Sequence, residues 1–169
     1  MRTRKLTTMA LLCAIALTIF IIEAQIPPLV PIPGIKLGLS NIVTVYAVYA
    51  LGAKEAAAIL FVRIFLGAIF SGNFGTILYS AAGGALAIVT TIVMKRIVSE
   101  SQLWISGCLS AVAHSVGQMI VAVWVTGTPS ILIYLPVLIL CSIVAGIFTG
   151  LCAQLLVKRG KDLWKTIFK

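Results

Sequence analysis

Long apolar stretches broken by short polar ones run along the whole chain, and the breaks set the elements. Leu6 to Ala24 is the first stretch, close to the roughly 20 residues that cross a hydrocarbon core as helix. Gln25 to Leu39 follows and carries Pro27, Pro28, Pro31, Pro33, Gly34 and Gly38. Each proline removes a donor and pushes its predecessor out of the α region, so this segment is predicted to be an ordered outer loop or a re-entrant segment. Ser40 or Asn41 then caps a short span to Leu51, Gly52-Ala53-Lys54-Glu55 reverses the chain, and Ala56 to Phe70 returns it. A turn from Ser71 to Gly75 leads to Thr76–Met94, which ends in Lys95-Arg96, and Leu103–Val125 makes a fifth span. After the turn Thr126-Gly127-Thr128-Pro129 comes a sixth, Ile131 to Val157. The expected fold is an all-α integral membrane protein: six transmembrane helices in one domain over residues 1–157, with a basic amphipathic tail over 158–169.

Composition supports this reading. Of 169 residues, 61% are apolar and 10% charged, with a mean hydropathy of +1.16, whereas soluble domains are about half apolar and about a quarter charged. Disordered chains, disulfide-stapled secreted domains and nucleic-acid binders are excluded, the last because the basic excess is spread along a hydrophobic chain. Thirteen Lys and Arg stand against four Asp and Glu, a net charge of +9. With both termini inside, Arg2, Arg4, Lys5, Lys54, Lys95, Arg96, Lys158, Arg159, Lys161, Lys165 and Lys169 all fall on the cytoplasmic side, as the positive-inside rule requires. Lys36 then lies outside and Arg63 within the membrane. The tail, with Leu163, Trp164, Ile167 and Phe168 among its lysines, is expected along the inner leaflet.

Met1 to Lys5 and the apolar run after them also resemble a signal peptide. Ile22 and Glu23 make a poor cleavage site before Ala24, so the first helix is expected in the mature chain. Cys13, Cys108, Cys141 and Cys152 fall inside spans without Cys-x-x-Cys spacing and read as small packing residues.

Ionisable groups inside a bilayer are costly and point to function. Arg63 sits mid-span, His114 and Gln118 share one face at i and i+4, and Glu23 ends the first span. Lys36, Ser40, Asn41 and Asn73 belong to the outer side. If they converge they line an outward-facing cavity with a floor near Arg63 and His114 and more positive than negative charge, suited to an anionic or strongly polar small molecule. Structural roles stand beside this reading: Arg63 pairing with Glu23 or with free carbonyls, His114 and Gln118 as interhelical hydrogen bonders, Glu23 and Lys36 as solvated rim residues. Trp104, Trp164, Tyr79 and Tyr134 read first as interface anchors. Small residues recur at helical spacing in Ala10-x-x-x-Ala14, in Gly146-x-x-x-Gly150 and in the run from Ala81 to Ala85, all permitting close backbone approach. Ala10 and Ala14 are the pair suited to a partner helix.

The chain lacks a Walker loop, His-Glu-x-x-His and Gly-x-Ser-x-Gly, and its one aspartate, Asp162, cannot build the aspartate-rich Mg²⁺ sites of a prenyl-transferring synthase. No catalytic residue, metal site or cofactor is expected.

Pro33-Gly34-Ile35-Lys36-Leu37-Gly38-Leu39-Ser40-Asn41-Ile42, Gly52-x-x-Glu55, Arg63 before Gly67, Ala82-Gly83-Gly84 and Ala113-His114-x-x-Gly117-Gln118 together resemble the bacterial family called Gx transporter or heptaprenyl diphosphate synthase component I. The outline is also similar to the S components of energy-coupling factor transporters. That resemblance implies a membrane subunit that binds a vitamin-like solute from outside and works with a transmembrane T component and two ATPases. It implies Lys36, Asn41, Arg63, His114 and Gln118 as pocket residues. The alternative expectation is a noncatalytic membrane partner of prenyl-quinone synthesis that positions a soluble prenyl synthase or its lipid product.

Overall fold

The computed structural model describes residues 2–26, 36 and 38–167, with side chains over 3–26, 36 and 38–160. Among these residues six α-helices follow one another and there is no strand: α1 (Arg2–Gln25), α2 (Asn41–Ala50), α3 (Ala53–Ser71), α4 (Thr76–Ile97), α5 (Leu103–Thr126) and α6 (Leu135–Ile167). Short 3₁₀ turns at Glu100–Gln102 and Pro129–Tyr134 lead into α5 and α6. Most of the proline-rich segment predicted as an outer loop, 27–35, lies outside the described residues.

Four segments are long and apolar enough to cross a membrane: Thr3–Gln25, Thr76–Ile97, Glu100–Thr126 and Pro129–Gly160. The expected count of six spans is thus met in part. α3 has 19 residues but holds Lys54, Glu55 and Arg63, and α2 has only 10. At 1.5 Å per residue α2 rises about 15 Å, half a hydrocarbon core. A short helix is tolerated because protein rather than lipid surrounds it: α2 contacts all five other helices, and Ala47 and Val48 are fully buried.

The sequence places the start of the last helix at Ile131; the structure starts it at Leu135. Pro136 explains the shift, because proline is accepted in the first turn of an α-helix and disrupts its interior. The 3₁₀ turn before it begins with Pro129 in the same role. At the other end, residues expected as a separate tail continue α6 as helix to Ile167.

α4, α5 and α6 pack through small residues. A Cβ added at Gly107 would lie 2.5 Å from Gly150 Cα and 2.7 Å from the Gly146 carbonyl oxygen, so the α5 and α6 backbones touch there. Gly117 meets Ala82 and Gly83 of α4 in the same way. Buried hydroxyls add polar links: Thr91 donates to Ser110 at 3.0 Å, and Ser115 and Ser142 are 2.5 Å apart. The Gly146-x-x-x-Gly150 pattern therefore serves internal packing.

Basic residues gather at one end of the bundle. Lys5 pairs with Glu55, tying the start of α1 to the start of α3. Lys95 Nζ donates to the Val48 and Tyr49 carbonyls at 2.7 and 3.3 Å, so the end of α4 caps the last turn of α2. Antiparallel packing of α5 and α6 brings Lys158 and Arg159 to this end as well.

Candidate functional site

At the opposite end of α2 the chain enters the helix through Gly38, Leu39 and Ser40, a non-helical stretch whose N–H groups need partners. Neighbouring helices supply them. Glu23, near the end of α1, accepts from the Gly38 N–H at 2.5 Å and the Leu39 N–H at 3.1 Å. Gln118 of α5 accepts the Lys36 N–H at 3.3 Å through Oε1. Ser40, at the N-cap position, makes no capping hydrogen bond; its hydroxyl accepts from Arg63 Nη1 of α3 at 2.6 Å. Lys36 and the strap of Gly38, Leu39 and Ser40 are thereby pinned to α1, α3 and α5.

Gly38 is required for two reasons. Its φ of +77° is a left-handed conformation that side chains rarely adopt, and an added Cβ would lie 2.9 Å from both Asn41 Nδ2 and His114 Cδ2. On the far side of its ring His114 packs against Gly83 of α4, where a Cβ would fall 2.8 Å from Nδ1. The imidazole is thus held between two glycines.

α1 presents Cys13, Ala16, Phe20 and Glu23 as one buried stripe. Phe20 packs against Gly67 of α3 and serves as a platform for two cations. Lys36 Nζ lies 3.7 Å from the ring centroid and Arg63 Cζ 5.7 Å. Arg63 and Glu23 are 3% and 5% exposed, yet they form no ion pair with each other. The Arg63–Glu23 pairing that stood among the structural alternatives is therefore absent: Glu23 accepts from backbone N–H groups, and Arg63 donates to Ser40. Burial pushes the Lys36 ammonium below its ordinary range, Glu23 counteracts this, and Arg63 adds to it.

Half of the eight buried side-chain atoms without a hydrogen-bond partner, among the described residues, belong to two neighbours of Ser40: Nε and Nη2 of Arg63, and both amide atoms of Asn41. A buried polar group left unpaired costs about 1–3 kcal/mol, more when charged. A polar group or an ordered water placed among these atoms would satisfy them.

Of the residues predicted from sequence, Glu23, Lys36, Asn41, Arg63, His114 and Gln118 are brought together around this strap. Asn73 is elsewhere: it is exposed in the turn between α3 and α4 and its Oδ1 accepts the Gly75 N–H at 3.1 Å. Tyr79, read as an interface anchor, is buried against Met119, Ala122 and Leu138. Ala10 and Ala14 lie on the exposed face of α1. Sequence reasoning missed Phe20; the signal was its position three residues before Glu23, on the same helix face. An apolar crevice of about 250 Å³ between α5 and the second 3₁₀ turn, lined by Val116, Met119, Ile120, Val123, Leu132 and Leu135, has no charged side chain to engage an anion.

The family model described as heptaprenyl diphosphate synthase component I matches residues 12–156, which include every helix that builds the strap site. The chain belongs to this family. Neither the curated proteins nor the solved structures gave a match. Family membership and the long apolar helices together identify a membrane protein.

Proposed function

We propose that this member of the family is a noncatalytic, substrate-binding membrane subunit for uptake of a small anionic solute. The observation that carries the reading is the buried, unpaired edge of Arg63, which donates to Ser40, together with the buried, unpaired amide of Asn41, the next residue along the chain. A cation held at 3% exposure without a carboxylate partner is a standing cost that a bound anion removes. The positive-inside rule, applied to the basic end of the bundle, supports both termini in the cytoplasm and the strap end facing outward. The exposed Ala10–Ala14 face of α1 is the surface offered to a T component with its two ATPases. Absence of catalysis by the chain rests on Asp162 being its one aspartate.

The family description favours a second reading, in which the chain holds a soluble prenyl synthase at the membrane. Thermal unfolding of the purified protein against vitamins, flavins, quinone precursors and isoprenoid phosphates separates the two. On the binding reading at least one compound raises Tm by about 5 °C at about a hundredfold excess over its Kd. No stabilisation by any of them, with co-purification of a soluble prenyl synthase, would replace this reading with the second. Under the binding reading, Ala10→Trp with Ala14→Trp blocks docking of a T component and leaves that stabilisation intact.

A further inference from the structure

Two features of the site, the geometry of the free Arg63 edge and the charge around it, specify the anion more narrowly. With Nη1 committed to Ser40, the unpaired atoms of Arg63 are Nε and Nη2, whose N–H bonds point the same way along one side of the guanidinium. That parallel pair matches the two oxygens of a carboxylate, and two oxygens of a phosphate equally well. Charge decides between them. Arg63 and Lys36 both face Phe20, and Glu23 is the acidic group within electrostatic reach of both. Residues 27–35 and Leu37 carry no ionisable side chain, so the strap and the segment before it add nothing to this balance. The three groups leave one net positive charge. A carboxylate neutralises it, whereas a phosphate monoester brings about 1.5 to 2 negative charges and a diphosphate more, leaving buried excess charge.

Building on the binding reading above, we propose that the recognised group is a single carboxylate, held side-on by Nε and Nη2 of Arg63, with Asn41 hydrogen-bonding its neighbouring atoms. Phosphorylated isoprenoids are then excluded from this site. Asn41 suits that role because its amide presents both a donor and an acceptor, each buried and unpaired.

Three probes that share one ring test this: benzoate, benzamide and phenyl phosphate, with binding to the detergent-solubilised full chain read by ligand-observed NMR. Benzoate is expected to bind at least about tenfold more tightly than either of the others. Arg63→Lys keeps the charge and removes the fork, and Asn41→Asp brings the site to neutrality at nearly constant shape; each should weaken benzoate about tenfold or more. Unchanged benzoate affinity in Asn41→Asp overturns the proposal even where Arg63→Lys fails to fold. Equal or tighter binding of phenyl phosphate also overturns it and leaves the binding reading standing, while failure of every compound in the wider solute set removes the binding reading itself.

Discussion

Glu23→Ala is expected to lower the stability of the solubilised protein by about 3–5 kcal/mol, because two backbone N–H groups lose a charged acceptor at once. The Gly38 and Leu39 N–H groups belong to no helix, and their hydrogen bonds at 2.5 and 3.1 Å to the carboxylate fasten the strap to α1. Polar links between membrane helices average about 0.6 kcal/mol, since separated helices keep their own backbone bonds and find other partners for the side chains. That discount does not apply to N–H groups with no helical bond to return to. Removing Glu23 also leaves Arg63 and Lys36 without a counter-charge. Glu23→Gln keeps the shape and one carbonyl acceptor, so its loss should be smaller. Thermal or denaturant unfolding in one detergent reads both variants. A loss below about 1 kcal/mol for the alanine variant would mean that Glu23 does not hold the strap.

Gly107→Val should be at least as damaging, for a reason of packing alone. Every near neighbour of the added Cβ is backbone: Gly150 Cα at 2.5 Å, the Gly146 carbonyl oxygen at 2.7 Å and Gly150 N at 2.8 Å. A flexible side chain can rotate away from such a clash; two helix backbones must separate along their length. Overpacking in a well-filled interior costs typically about 1–3 kcal/mol, and this site belongs at or beyond the upper end. Loss of folded yield, or a fall in stability of about 3 kcal/mol or more, is the expected result. Ala10→Val is the control: it adds volume on an exposed face and should stay within about 0.5 kcal/mol of the parent. Wild-type stability in Gly107→Val would contradict the close α5–α6 contact.

Much of the fold was legible because its long helices announce their ends. Thr76 and Leu103 fall where the polar breaks in the sequence put them, while α3 begins at Ala53, within the predicted Gly52–Glu55 reversal, and runs on to Ser71. The sixth span read from Ile131 lies within the membrane-length segment Pro129–Gly160, but its first residues are a 3₁₀ turn and α6 proper begins only at Leu135, because a hydrophobic pattern is blind to Pro136, a ring that cannot sit in a helix interior. Hydropathy likewise treats α2 as a short span. What distinguishes it is that protein covers it on all sides, a fact that resides in the other helices.

The candidate site shows the same division. Arg63, His114 and Gln118 stood out because polar groups are rare in apolar helices, and the structure places all three beside the strap. Asn73 was chosen as a residue of the outer turn after α3; it does lie in that turn, exposed, where hydrogen bonding to the neighbouring backbone accounts for an asparagine. Ser40 resembles a helix cap, and only tertiary contact reveals that its hydroxyl serves Arg63. Phe20 is one apolar residue among many in α1, and its role as the surface beneath two cations depends on α3 and the strap arriving over it.

On the binding reading, the free edge of Arg63 receives the solute. The most direct measurement is the ¹⁵N–¹H spectrum of arginine side chains in the purified protein, with Arg63 assigned by its loss in Arg63→Lys, recorded as the most stabilising compound is titrated in. The Arg63 Nε–H resonance is expected to move with occupancy while those of Arg4, Arg96 and Arg159, at the basic end of the bundle, stay in place. An Arg63 resonance unmoved at saturation, in a protein that the compound stabilises, would contradict it.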